Sequence, residues 1–233
     1  MSDVASITKI LFPPIHKEGV RFIALFAFVT LLLSLFNEVL AFIGIGLTVW
    51  CYYFFRNPDR QVIQIPGVAV SPADGVVCVV DTAIPPKELE LGDTPKKRVG
   101  VFMNVFDCHV NRVPVAGTIE KIAYHKGQFL NASLDKASQK NERNSVLLKD
   151  SEGDEYVVVQ IAGLVARRII CESAVQESLE RGERFGIIRF GSRVDVYLPE
   201  KMTPAVSVGQ IMVAGETVIA AEQLSVIPDY KTV

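Results

Sequence analysis

The 233-residue sequence is poor in the residues most catalytic sites are built from. Histidine occurs three times, as His16, His109 and His125, and tryptophan once, as Trp50. The four cysteines, Cys51, Cys78, Cys108 and Cys171, stand far apart with no CxxC pair, which excludes the usual zinc spacings, and no metal is expected. With no secretory signal evident, they read as reduced, mostly buried thiols. Neither a P-loop nor a GxGxxG segment occurs, so no nucleotide-binding loop is indicated. There is also no excess of positive charge. Twenty-four Lys and Arg face 26 Asp and Glu, the formal net charge is −2 and the pI is about 6.0, leaving no basic field for nucleic acid.

What the chain does have is apolar residues, and they are unevenly spread. Mean hydropathy is +0.30, high for a soluble protein, and most of the excess lies in residues 20–55, "VRFIALFAFVTLLLSLFNEVLAFIGIGLTVWCYYFF". Asn37-Glu38 divides this stretch into Val20–Phe36 and Val39–Phe55, each near the lower limit of about 17 residues for a spanning helix. A glutamate at mid-bilayer costs several kcal/mol, whereas the same pair at the tip of a helical hairpin is solvated. The pattern therefore predicts two helices folded back on each other. Lys17 and Arg21 flank one end, Arg56 and Arg60 the other, which places both ends on the cytoplasmic side. Trp50, Tyr52 and Tyr53 stand where an interfacial aromatic belt is expected.

After "RNPDR" the texture changes to short β-branched runs punctuated by Gly and Pro. Strands are expected at 68–70, 76–80, 98–105, 117–124, 145–149, 156–162, 185–190, 194–198 and 217–220, with "KDSEGDE" as a hairpin loop. One helix is expected over Ser173–Arg181, closed by Gly182. A weak repeat, "SPADGVVCVV", "VPVAGTIEKI" and "VSVGQIMVAGETVIAA", suits a barrel or sandwich like those of biotinyl and lipoyl carriers. None of its turns carries the exposed lysine such a carrier needs. The fold class is thus mainly β (α+β): a compact β-barrel or sandwich preceded by an N-terminal helical membrane hairpin. Residues 1–19 are expected to form a cytosolic segment, 20–56 the anchor and 57–233 a β-rich domain.

Candidate chemistry concentrates in a few places, each with an ordinary alternative. His109 follows an apolar strand among Asn104, Asp107, Asn111 and Arg112, a polar setting that favours a site over a structural histidine. Asp74 in "SPADG" reads either as an Asp-Gly turn or as an aspartate that orients a histidine. His125 reads as a turn residue and His16 as an interfacial one. Gly191-Ser192, between two strand patterns in "RFGSRVDVYLP", reads as a turn or bulge on spacing alone.

The ordered blocks "FFRNPDR", "SPADGVV", "NVFDCHVNRVPVAG", "NERNS", "QIAGLVARRI" and "RFGSRVDVYLP" resemble the short form of the phosphatidylserine decarboxylase family, from the hairpin to about residue 220. The resemblance implies a proenzyme that cuts itself at Gly191-Ser192 into a β-chain (1–191) and an α-chain (192–233). Ser192 becomes a covalent pyruvoyl cofactor, whose Schiff base with the substrate amine supports decarboxylation of phosphatidylserine to phosphatidylethanolamine. His109 is then the base and proton donor, with Asp74 holding it. Longer members carry a second histidine three residues on, where this chain has Arg112, and a Leu-Gly-Ser-Thr where it has Gly-Ser-Arg. Arg112 cannot act as a base at neutral pH but suits a phosphate or carboxylate. The implied setting is the cytoplasmic membrane with the catalytic domain on its cytoplasmic face, the partners being phosphatidylserine and the two chains of one precursor; a homo-oligomer is left open. On this reading residues 1–56 supply membrane placement and no catalytic group. The rivals are a membrane-tethered, carrier-like binding module that stays one chain, and a pyruvoyl decarboxylase of soluble amino acids or S-adenosylmethionine.

Overall fold

The computed structural model describes residues 11–130, 132, 140–164, 168–189 and 191–222. It divides into two compact units. One runs to Asp59 and also takes in Phe106–Val110; the other comprises Arg60–Val105 and the chain from Asn111 onward.

The first unit is a helical hairpin, α1 (Lys17–Ser34) and α2 (Glu38–Phe54). His16 caps α1 by accepting from the Glu18 N–H, and Asn37 caps α2 by accepting from Val39 and Leu40. Asn37-Glu38 therefore turns the chain because its side chain satisfies donors that a continuous helix would have bonded internally. Gly44 lets the helices close on Thr30, whose hydroxyl lies 3.2 Å from that of Thr48. At the open end His16 N–H donates to Phe55 O, and the Tyr52 and Tyr53 hydroxyls tie down Pro13 and Leu11. Among the described residues no helix is long and apolar enough to cross a membrane.

The second unit is β-rich. Its main sheet is antiparallel and has eight strands, in the order β13 (Ile211–Met212), β2 (Gly75–Ala83), β3 (Lys96–Met103), β11 (Ser192–Leu198), β7 (Glu155–Ala162), β6 (Arg143–Lys149), β5 (Gly117–His125) and β9 (Ser178–Leu179). Two three-stranded sheets join it: β1 (Val68–Val70), β14 (Val218–Ala221) and β12 (Thr203–Pro204); and β4 (Val110–Arg112), β10 (Arg184–Arg189) and β8 (Arg168–Cys171). Both faces of the central strands are covered. Val194, Val196 and Leu198 of β11 enter the main core with Val99, Val101 and Met103, while Tyr197 enters a second cluster with Val157, Val159 and Ile161. That is why "SRVDVYL" is buried throughout although it alternates polar and apolar residues.

The nine expected strands are present, with Phe190 outside the described residues. The repeated turns meet: Val70 N–H donates to Pro114 O, Arg112 N–H to Pro72 O, Ser71 N–H to Thr217 O and Gly215 N–H to Ser71 O. The helix expected over Ser173–Arg181 is not formed. Gln176 adopts a φ of 69°, its N–H donates to Ile119 O, and Ser178–Leu179 pairs with β5 as a strand. Pairing with the sheet edge overrides a helix-forming sequence too short to be stable alone.

Candidate active site

His109 belongs to the helical unit. It is fully buried, and its ring lies on that of Phe54, the last residue of α2, with centroids 4.2 Å apart and planes 30° from parallel. Nδ1 is 3.0 Å from the Asp107 carbonyl. Burial pushes the imidazole pKa down to about 4; the Arg56 cation pushes the same way, against the Asp107 carbonyl. The ring is therefore neutral at pH 7. Two more bonds fix its turn: Arg56 donates to Phe106 O at 2.9 Å, and Cys108 Sγ lies 3.1 Å from Arg56 O. Within the helical unit, the end of α2 thus packs directly on the His109 ring.

Ser192 opens β11 at the centre of the main sheet, opposite Met103 of β3 on one side and Ala162 of β7 on the other. It is fully buried, with its hydroxyl 3.9 Å from Met103 Sδ. The Gly191 before it has a φ of 68°, a left-handed conformation that a β-carbon makes costly. The Gly191 carbonyl accepts from the Gly163 N–H at 3.0 Å. Gly191-Ser192 is thus a turn entering a strand, as spacing suggested, and also a backbone constrained at the bond in question.

Behind Ser192 runs a buried chain of amides of which the sequence singled out only Asn111. Asn144 Nδ2 donates to Gln160 Oε1 (3.0 Å), Gln160 Nε2 to Asn111 Oδ1 (2.8 Å), and Asn111 Nδ2 to Met103 Sδ (3.5 Å). Asn141, also fully buried, brackets Leu130 and donates to Ala162 O. The blocks "NERNS" and "QIAG" held these residues, but nothing in a one-dimensional pattern says which amides share a face.

Asp74 lies in the β unit, where Arg60 donates to both carboxylate oxygens at 2.9 and 2.7 Å and the Ala214 N–H to one at 2.8 Å. These bonds give Asp74 a structural task in the "SPADG" turn. Arg112 is buried and donates to Gly182 O at 2.7 Å. His125 ends β5 as an exposed residue, and His16 is the cap already described.

The family profile described as phosphatidylserine decarboxylase matches residues 47–220. A protein of Cereibacter sphaeroides named phosphatidylserine decarboxylase proenzyme is 59% identical over 207 residues, covering 89% of each chain. One of the same name from Ruegeria pomeroyi is 56% identical over 207 residues, covering 89% of this chain and 94% of its own.

Proposed function

The chain belongs to the phosphatidylserine decarboxylase family, and on that premise we propose that it is a proenzyme that cleaves itself between Gly191 and Ser192 and then decarboxylates phosphatidylserine to phosphatidylethanolamine. The observation that carries this reading is the backbone at the bond: a positive-φ glycine followed by a buried serine at the head of the central strand. Cleavage proceeds by attack of Ser192 Oγ on the Gly191 carbonyl carbon. The C–O bond forms, the hydroxyl proton passes to His109, and the carbonyl π pair moves onto oxygen. Collapse breaks the C–N bond and leaves an ester and a free amine. Loss of the Ser192 α-proton then expels the Gly191 carboxylate, and water converts the dehydroalanine to a pyruvoyl group with release of ammonia.

The residues fit such a group. Ser192 heads a strand held on both sides, so its new N-terminus stays in register, and Met103 and Ala162 leave no charged side chain opposite it. A pyruvoyl ketone supplies an electron sink for a departing carboxylate. The protein's own part is to hold the lipid, exclude water and return a proton, the last a role assigned to His109. Asp74 is assigned as the charge that steadies His109, and Arg112 as a donor toward the lipid's anionic groups.

The hairpin is assigned to the membrane. Phe36 is 82% and Phe42 73% exposed, amid other exposed Leu, Ile and Val side chains. Helices of 18 and 17 residues are about 27 and 25 Å long, short of a hydrocarbon core of about 30 Å. A hairpin dipping in from the cytoplasmic face fits that length, with its polar tip reaching only part way.

Denaturing electrophoresis with intact mass tests the reading. It requires two chains, the smaller beginning with a residue that has lost the Ser192 amine, and carbon dioxide released from phosphatidylserine vesicles. A single full-length chain retaining Ser192 would instead mark a binding module.

A further inference from the structure

Gly163 follows the last residue of β7, and its N–H makes the final ladder bond of the β7–β11 pair, 3.0 Å from the Gly191 oxygen. Resting on the reading that Gly191-Ser192 is the bond cut, we propose that the Ala162–Gly163 peptide is the oxyanion donor of self-cleavage and that Asn141 is its positioning residue.

Three observations carry this. The oxygen that Gly163 contacts is the one that takes up negative charge when Ser192 Oγ attacks, and a backbone N–H already aimed there needs no reorganisation. Second, a β-carbon built on Gly163 would stand 2.2 Å from that oxygen and 3.0 Å from its carbon. Only glycine admits so close an approach.

Third, the same peptide unit is held from its other end. Asn141 Nδ2 donates to Ala162 O at 2.8 Å, the carbonyl conjugated with the Gly163 N–H. A donor on the carbonyl draws electron density from the amide nitrogen and makes its N–H a stronger donor. Asn141 is itself locked, its Oδ1 accepting from Leu130 N–H (3.0 Å) and its Nδ2 also donating to Leu130 O (2.8 Å). Ala162 N–H donates to Glu142 O at 2.9 Å, so the preceding peptide is anchored as well. A side chain that served only to close the loop at Leu130 would have no need to reach Ala162.

The step gains nothing from solvent, since Ser192 and Asn141 are both fully buried. As the Oγ–C bond forms and the proton leaves Oγ, charge on the Gly191 oxygen meets the Gly163 N–H. When the C–N bond breaks, that oxygen returns to a carbonyl, now of the ester. The contact is a ladder bond in the ground state and an oxyanion bond in the transition state.

The test replaces Gly163 by glycolic acid during translation, which removes the N–H alone, and follows full-length chain against time on denaturing gels. The expected result is self-cleavage slowed on the order of 10²-fold. Asn141→Ala should slow it about tenfold, through weaker polarisation and looser placement. In both variants hydroxylamine should not restore the rate, because the slowed step precedes the ester. Cleavage at the unmodified rate in the glycolic-acid protein overturns the proposal. So does hydroxylamine-accelerated cleavage between Gly191 and Ser192, identified by fragment mass apart from scission of the introduced ester at residue 163, because it would place the defect after ester formation. If Asn141→Ala fails to melt cooperatively, the glycolic-acid protein decides alone. Failure of the unmodified chain to cleave at Gly191-Ser192 would instead remove the reading on which the proposal rests.

Discussion

At the scale of single residues, the proposed chemistry hangs on a serine, a histidine and what surrounds each. Ser192→Ala removes the nucleophile and the precursor of the ketone together, so neither cleavage nor carbon dioxide release is expected; two bands on a gel would refute the assignment. His109 yields a pH prediction. Its pKa is about 4 in the folded protein and about 6.5 unfolded, so below pH 6.5 the unfolded chain binds the extra proton. Stability from this group is complete above pH 6.5 and is lost as pH falls toward 4, by at most about 3 kcal/mol. Urea midpoints between pH 7 and 4.5 should show this slope and should lose it in His109→Phe. Phe54→Ala uncovers the ring, and the midpoint of its titration should move up toward the ordinary value, readable by NMR of the imidazole. His109 was legible in the sequence from its polar neighbours, and Phe54 was not. An aromatic in an apolar run looks like one more lipid-facing residue, and only folding brings the end of α2 against a turn that follows it by some fifty positions. Asp74 was legible as a candidate, while its bonds to Arg60 and Ala214 belong to a turn that the "SPADG" string does not show. Asp74→Asn keeps an acceptor for Ala214 but breaks the pair with Arg60, so a lower melting temperature is expected with slow processing. Arg60→Ala, which breaks the same pair and leaves the carboxylate, should lower the melting temperature and leave processing at its normal rate if the charge has its assigned role.

At the scale of elements, β11 is the instructive case. Arg193 and Asp195 sit on it fully buried, joined at 2.5 and 3.0 Å, and Arg98 of β3 reaches Asp195 at 3.3 Å and Asp81 at 2.7 Å. Removing the shared carboxylate takes from buried Arg193 its ion-pair partner, while Arg98 keeps Asp81. In a Ser192→Ala background, where the chain stays whole, Asp195→Ala should therefore cost about 3–5 kcal/mol by urea denaturation. A loss under about 1 kcal/mol would mean that water reaches the arginines. Alternation in "SRVDVYL" made the strand legible. It did not show how the polar face is satisfied, because Arg98, which pairs with Asp195, lies elsewhere in the chain. The short strands β9, β12 and β13 were not legible at all, since two residues carry no periodicity. The same limit turned 173–181 into an expected helix.

At the scale of the whole molecule, the division into a helical and a β-rich part was legible from the abrupt change of texture at "RNPDR". The membership of Phe106–Val110 in the helical unit was not, because that segment is flanked on both sides by strands. One prediction follows for vesicles. The Ser192→Ala chain should float with phosphatidylserine liposomes, while a Phe36→Glu, Phe42→Glu double variant should stay behind at least in part, measured by flotation on a density step. Equal flotation would assign membrane contact to another surface. The place of β11, between β3 and β7, bears on a different matter: the history of each copy. An uncut chain finds its centre strand by a first-order search. On the proposed cleavage, once the bond ahead of Ser192 is gone that strand belongs to a separate molecule, and recovery from unfolding becomes an encounter whose yield falls with dilution. The uncut Ser192→Ala protein should refold to the same extent at any concentration, and the cut protein should not. Its endurance is then a waiting time set by how slowly the sheet opens. At high dilution each cut copy is spent the first time it does.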